Sequence, residues 1–511
     1  MTTSEENANI QQIEENKPQE CHENTQETTN NESQQQNQEN KIENTENNNT
    51  NTQQNIEPAK NTDPPKNEEE TPNEKPKSEE DEKATPLYWL SRTRSEESTD
   101  PVDMRPDSEE WTSQELHLFI VTDAGKPVYS RYGTVQKLSP ILCTCVAILG
   151  HMESLHEELN HFRAGSHTFV FLPKSPFVFI AVSKSSLPVS YLFKQLNFLY
   201  SLFLSLFSEN LINQLSARPA CDFRQIAEGT RPAWDGVVNN MSEDPAFIFA
   251  PSVPVSHMRP EQRAAVISHF DKLPSCKLSM LMYRNRVLAV GKCSCDSLSL
   301  RLIVDLMWTP AFQNGESWTP FFARDSTDGM HHLYINKHKS SDFALVMLCS
   351  DSPNLGVAYH SAATHIFAEL EEKYIATLEK PLDWEPKVFY CWALHSITYG
   401  QVYITDPISP HFKGQKPQDS IKKMQELSKQ LAKSCDMVET NAVDGEYMFR
   451  GEKEVIVVYK CSTHEIYAVA NSADLKDSEL SAKLQELKNF INAHFNELII
   501  VESKFHINKF T

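Results

Sequence analysis

The side chains with most chemical potential in this chain are its thiols and imidazoles. Cys143 and Cys145 form one Cys-x-Cys pair, Cys293 and Cys295 a second, and such pairs raise the question of zinc. The first pair lies in a helix-patterned segment, where residues two apart point to different faces. The second closes a hairpin with no histidine at ligand spacing. Small core thiols are the better reading of both. His331 and His332 would alternate across a strand and face opposite sides. His151, His156, His161 and His167 follow a helix end and a loop without ligand spacing. Ser317, in Gly315-Glu-Ser-Trp-Thr-Pro320, stands at a strand entry with no evident base, so it does not read as a nucleophile. There is no phosphate-cradling glycine loop, nucleophile elbow or HExxH helix, and 14 glycines in 511 residues leave little material for a nucleotide cradle. Covalent catalysis is disfavoured, and no catalytic residue, metal or cofactor is expected.

The elements that would position a site repeat along the chain. Residues 116–122 and 127–133 read as two apolar strands around a turn carrying Gly125. Ser139-Pro140 suits a helix start, followed by Leu142, Cys145, Val146 and Leu149 at helical spacing. Residues 169–172 and 177–182 form another strand pair, and 189–215 a helix apolar nearly all round. Such a helix is buried on several sides, which implies a second surface packing on it from outside. The order recurs in 278–290, 298–306, 318–322, 331–336, 343–349 and 355–374. It recurs again in 388–404, 421–431, 446–450, 455–459, 466–470 and 480–495. An antiparallel sheet sandwiched by helices, an α+β fold, is predicted three times: domains at 111–235, 245–380 and 385–511, after a tail and linker at 1–110.

Charge separates tail from body. Residues 1–110 hold 28 acidic residues against 10 basic, a net of −18 within the total of −22. The first 85 or so residues are Asn, Gln, Glu, Thr and Pro, too poor in apolar groups to offset a chain entropy of about 1–2 kcal/mol per residue, and are expected to be disordered. Pro86-Leu-Tyr-Trp-Leu90 is an apolar knot in the linker. The opening Met-Thr-Thr-Ser-Glu-Glu offers no signal peptide, and the longest apolar run, 198–207, is well short of the roughly 20 residues of a membrane span. Eleven scattered cysteines then suggest reduced thiols in the cytosol. Basic residues gather at Arg259, Arg263 and Lys272, at Arg284 and Arg286, and at Lys413, Lys416, Lys422, Lys423, Lys429 and Lys433. These suit solvated helix faces or, at about 1 kcal/mol each, attraction to anionic lipid; Arg259, Arg263, Lys422 and Lys423 are the membrane-lipid candidates.

The run Ala124-Gly-Lys-Pro-Val-Tyr-Ser-Arg-Tyr-Gly133 resembles the opening signature of the SAND family, the Mon-type vacuolar fusion proteins. Further matches follow in the family's order: Arg163-Ala-Gly-Ser-His-Thr-Phe-Val-Phe171, Pro176-Phe-Val-Phe-Ile-Ala-Val-Ser183, Asp222-Phe-Arg224 and Gly315-Glu-Ser-Trp-Thr-Pro320. Beyond residue 385 the likeness is in order and spacing. The resemblance implies three longin domains, pairing with a Ccz-type longin protein, and guanine-nucleotide exchange on a late-endosomal Rab GTPase. It also implies an upstream early-endosomal Rab and peripheral recruitment from the cytoplasm to phosphoinositide-containing membranes, with no role for nucleic acid. First domains that pair and jointly bind the GTPase would place Lys126, Tyr129, Ser130, Arg131 and Tyr132 at that surface, with Trp318 a candidate for the upstream Rab. The bland alternative is that the motif only fixes its hairpin. At the level of function, the alternative is a scaffold or tethering adaptor without exchange activity.

Overall fold

A computed structural model describes residues 104–106, 108–184, 187–216, 222–273, 276–307, 309, 315–323, 329–338, 341–349, 356–374, 382–405, 417–441, 443–471 and 475–502. The acidic tail, the knot at 86–90, Lys413 and Lys416 lie outside the described residues.

The first sheet contains β1 (Leu116–Thr122), β2 (Pro127–Ser130), β3 (His161–Ala164), β4 (His167–Lys174) and β5 (Phe177–Ser183), in the order β2-β1-β5-β4-β3, all antiparallel. Alternation along β1 sends Leu118 and Ile120 to one face and Phe119 and Val121 to the other. Both faces are covered, so the strand reads as continuously apolar. The helix Val135–Ser154 packs Leu138, Leu142 and Cys145 on the Phe119 face. The helix Val189–Phe207 packs Leu192, Leu196 and Leu199 on the Leu118 face.

The second sheet has eleven strands. Its central part comprises β6 (Val253–Val255), β7 (Cys276–Tyr283), β8 (Arg286–Cys293), β9 (Glu316–Phe321), β10 (His331–Lys337) and β11 (Phe343–Cys349). The remainder is β12 (Phe389–Ser396), β13 (Gln401–Ile404), β14 (Gly445–Arg450), β15 (Glu454–Lys460) and β16 (His464–Asn471). Its order is β14-β15-β16-β12-β13-β6-β8-β7-β11-β10-β9. With β6 set aside, the halves read β8-β7-β11-β10-β9 and β13-β12-β16-β15-β14. Each is the first sheet's order, second strand, first, fifth, fourth, third. Helices after the second and fifth strands recur as well, at Ser297–Leu306 and Gly356–Lys373, then Pro417–Asn441 and Asp477–Leu498.

β6 joins the halves. It runs parallel to β13, with Val253 opposite Gln401, and parallel to β8, with Val255 opposite Val287. The amides of Val253 and Ser256 donate to Gly400 and Val287 at 2.9 Å each, so Pro254, which has no N–H, is tolerated between two neighbours. Two strand edges that would otherwise be open are closed by three residues of linker.

Several boundaries differ from expectation. The 135–154 helix starts before Ser139, leaving Pro140 inside it. The 189–215 helix is broken at Ser208, whose φ is +53°, into Val189–Phe207 and Glu209–Ser216. His161 and His167 belong to the β3–β4 hairpin rather than a loop. The surface expected to cover the apolar helix from outside is supplied by this chain. Phe198 meets Phe247 edge-on at 5.0 Å and Phe203 lies 5.5 Å from Trp234, on the helix Arg231–Glu243. Lys194 pairs with Glu439 at 2.6 Å, and Ser190 donates to Asp436, both on the helix Pro417–Asn441.

A buried charge network sits where these parts meet. Arg301, fully buried, donates to Asp305 at 2.8 Å and to the carbonyls of Ala246 and Ser252 at 3.1 and 3.0 Å. Asn240 donates to Asp305 at 2.6 Å, and Arg286 grips Asp244 with two bonds of 2.7 and 2.6 Å. Burial pushes the Asp305 carboxyl up to about 6, so it is still ionised against Arg301 at neutral pH. Burial would also raise Asp244, but Arg286 outweighs it and holds that carboxyl below its ordinary range. Asp305→Leu would strand the Arg301 charge and is expected to cost about 3–5 kcal/mol. Arg301→Met combined with Asp305→Leu should not recover that loss, because the Ala246 and Ser252 carbonyls and the Asn240 amide are then left without partners. Thermal unfolding of the three proteins measures the difference.

Candidate partner-contact surface

The ten-residue opening motif begins in the β1–β2 turn. Gly125 has φ +76°, and a Cβ there would lie 3.1 Å from the Cys143 sulfur, so the turn needs glycine for both backbone and space. Thr122 holds the turn from both sides. Its amide donates to the Lys126 carbonyl at 2.9 Å, and its hydroxyl accepts from the Lys126 amide at 3.1 Å. Lys126 is exposed.

Beyond the turn the motif faces inward. Tyr129 is 2% exposed; its hydroxyl donates to Asp235 at 2.8 Å and its ring lies 5.6 Å from Trp234. Burial, reinforced by Asp235, keeps that phenol well above its usual range, so it is always protonated. Arg231 pairs with Asp235 at 3.3 Å and donates to the Ser130 carbonyl at 3.0 Å. Ser130, also buried, donates to the Tyr132 carbonyl at 2.6 Å. Arg131 is 8% exposed, donates to Ser242 at 3.0 Å and lies over the Tyr132 ring at 4.9 Å. The motif therefore binds the helix Arg231–Glu243, which the sequence pattern did not reveal. Tyr129, Ser130 and Arg131 are corrected from partner contacts to internal ones, because this helix occupies the face they would have offered. Lys126 and the half-buried Tyr132 stay accessible.

Neighbouring motifs support the same packing. Asp222 caps the helix Phe223–Glu228, accepting from the Arg224 amide at 3.1 Å and from its guanidinium at 2.7 Å. Phe223 meets Phe177 edge-on at 4.9 Å. Under the motif, the His117 ring packs tilted 4.1 Å from Trp111, whose indole donates to the Tyr132 carbonyl at 3.2 Å.

Other candidates scatter. Trp318 is half-buried on β9, 4.8 Å from Tyr334 and 6.1 Å from Tyr359, so one side packs and the other meets solvent. Arg259 and Lys422 are exposed and Lys423 half-buried. Arg263 is fully buried and is corrected from a lipid contact to a structural clamp. Its guanidinium donates to Leu288, Asn496, Met258 and Glu497 carbonyls at 3.0–3.3 Å, tying β8 to the end of the closing helix. Cys145 and Cys276 are buried and Cys143 exposed; burial pushes the Cys145 thiol up. Among the described residues, no group of three or more His, Cys, Asp or Glu could hold a metal.

The outward surface of the first unit lies instead on the helix Val135–Ser154 and its cap. Ile141, Ile148 and Leu155 are 44%, 37% and 56% exposed, seven residues apart, and form one apolar seam. The spacing was available in the sequence. It was masked by Leu142, Cys145 and Leu149, which supply the inward face of the same helix.

Burial, with Arg131 nearby, pushes His117 down to about 4. An unfolded chain protonates this ring near 6.5, so stability should fall as pH drops from about 6.5 to about 4, by on the order of 3 kcal/mol. His117→Phe should flatten that part of the profile. Tyr129→Phe should cost about 1–2 kcal/mol while Lys126→Glu leaves the melting temperature unchanged. Thermal melts across pH check all three.

Residues 116–237 match the family model for the first longin domain of FUZ, MON1 and HPS1. Similar curated proteins include vacuolar fusion protein MON1 homolog B of Homo sapiens, 27% identical over 255 residues, covering 48% of this chain and 46% of that protein. MON1 homolog A of Homo sapiens is 26% identical over 264 residues, covering 50% and 40%. Protein SAND of Takifugu rubripes is 26% identical over 253 residues, covering 48% of each. The chain spans about half the length of the curated relatives it matches.

Proposed function

We propose that this chain, a member of the Mon1/SAND family, is one subunit of a heterodimeric guanine-nucleotide exchange factor acting on a late-endosomal or vacuolar Rab GTPase in endosome maturation and vacuole fusion. All three repeats, within 111–235, 245–380 and 385–511, are then longin-like domains. The observation that supports this most is the exposed apolar seam Ile141–Ile148–Leu155, on the domain that matches the longin model. It suits pairing with the first domain of a Ccz-type longin protein. Among the described residues no helix is long and apolar enough to cross a membrane, which suits peripheral recruitment.

Exchange requires no covalent step. The pair must bind the nucleotide-free GTPase more tightly than the nucleotide-bound form, and each tenfold of acceleration corresponds to about 1.4 kcal/mol of that difference. Holding switch I open releases the Mg²⁺ and phosphate contacts that retain GDP. Lys126 and Tyr132 are the accessible motif residues for the composite GTPase surface, and the open side of Trp318 for an early-endosomal Rab. Arg259, Lys422 and Lys423 are the cations for a phosphoinositide-containing membrane. The second reading, a tethering scaffold, uses the same seam without exchange.

The test is release of fluorescent GDP from the late-endosomal Rab, with the two chains co-expressed. Acceleration by the pair and by neither chain alone is expected. Ile141→Asp with Ile148→Asp should abolish pairing and exchange while leaving this chain's melting temperature within a degree or two, because both residues are solvent-facing. A well-formed pair that leaves release unchanged would establish the scaffold instead.

A further inference from the structure

A cavity of about 570 Å³ lies where the helix Val189–Phe207, residues 248–252, the helix Pro417–Asn441 and strands β12 and β16 converge. Small-molecule sites occupy roughly 300–1,000 Å³. Phe193, Ile248, Phe249, Pro251 and Tyr467 form the apolar part of its wall. Lys194 and Glu439 stand at the mouth, their side chains 27% and 50% exposed, while Ser252 at 1% and Glu465 at 6% lie at the floor.

The floor is a hydrogen-bonded chain. The Ser252 hydroxyl is 2.9 Å from His395 Nε2, and His395 Nδ1 is 3.1 Å from Glu465 Oε2, which also accepts from the Tyr467 hydroxyl at 3.1 Å. Burial would raise the Glu465 carboxyl, but the hydrogen bonds it accepts from His395 and Tyr467, with Lys460 nearby, outweigh burial and hold Glu465 below its ordinary range. An ionised Glu465 puts the proton on Nδ1, so Nε2 accepts from Ser252.

Serine, histidine and carboxylate in one cavity have the connectivity of an acyl-transfer triad. Among the described residues, the backbone amides beside Ser252 are not free to stabilise a developing oxyanion. The amides of Ala250, Ser252 and Val253 donate to Phe247, Phe249 and Gly400, and Pro251 has none. The arrangement suits recognition instead. With its proton committed to His395, the Ser252 oxygen is left as an acceptor. Charges around the cavity are paired, Lys194 with Glu439 and Lys460 with Glu465, so a charged ligand would gain little.

We propose that this cavity binds a small neutral molecule with an apolar body and one hydrogen-bond donor, held by the Ser252 oxygen and the aromatic walls. Because the walls come from the first and third repeats and the linker between them, an occupant clamps these parts together.

The probes are 2-naphthol and its methyl ether, 2-methoxynaphthalene, offered to the full chain and followed by saturation-transfer NMR and thermal shift. The naphthol should bind about tenfold more tightly than the ether and raise the melting temperature. Ser252→Ala should remove the preference, and Asn197→Trp, which fills the cavity from the half-exposed side of its helix, should remove binding of both. Equal binding of the two probes to the native chain, binding unaffected by Asn197→Trp, or no binding of either at millimolar concentration would overturn the proposal. Turnover of 2-naphthyl acetate that vanishes in Ser252→Ala would overturn it in favour of acyl transfer.

Discussion

A guanidinium with no access to water dictates how this chain is assembled. The segment from Asp244 to Val255 must cross from the first sheet to the second through the shared core, and its carbonyls cannot all find backbone partners there. Arg301 takes two of them, Ala246 and Ser252, while Asp305 neutralises it and Asn240 completes Asp305. An unpaired carbonyl or charge at this depth would cost several kcal/mol. The linker can therefore follow this course only with the helices Arg231–Glu243 and Ser297–Leu306 in place. Once it does, β6 is delivered between β13 and β8, and the second and third repeats become one sheet.

The same constraint explains why the opening motif faces inward. The helix that precedes the linker has to lie on the first sheet, and Tyr129, Ser130 and Arg131 are its docking site. Gly236 allows the approach from the other side, since a Cβ there would fall 2.7 Å from the Thr309 side chain. A motif of this length is specific because it satisfies a turn, a strand edge and an ion pair at once. None of those requirements involves a second protein. Elements with no such duty keep exposed apolar side chains, Ile141 and Ile148 on the outer face of the helix Val135–Ser154.

Much of the fold was legible in the sequence because its signals are local. Apolar runs of strand length and helical spacing located both hairpins and most helices, and even the ambiguous Gln401–Ile404 was read as a strand. What escaped was non-local or carried a misleading residue. β3 was missed because three of its four residues face solvent. β6 is Val-Pro-Val, which reads as a chain breaker, and its pairing with strands far along the chain has no local trace. The helix Arg231–Glu243 carries Gly236 in its interior, a poor helix former, although Pro232 sits in its first turn where proline is tolerated. Tyr129 and Asp235 lie 106 residues apart, and nothing in the spacing announces their bond. Arg263 illustrates the opposite error: a charge near other charges was read as solvated, yet its partners are backbone carbonyls that no sequence pattern encodes.

Seen across the three repeats, one edge of each sheet is always hidden and the other always left available. The hidden edge is that of the second strand. In the first repeat Arg231 takes the Ser130 carbonyl and the helix Phe223–Glu228 lies beside β2. In the second and third, β6 lies between β8 and β13. The other edge is that of the third strand, β3, β9 or β14, which has no neighbouring strand among the described residues. Uncovered edges invite strand addition unless they are short or charged. β3 is four residues long and carries Arg163, while β9 carries Pro320 and an exposed Glu316 paired with His360 at 2.9 Å. These features discourage pairing by strand addition. The side chains of these edges thus shield backbone that would otherwise be open to pairing, at β3 by shortness and charge and at β9 by Pro320 and the Glu316–His360 pair.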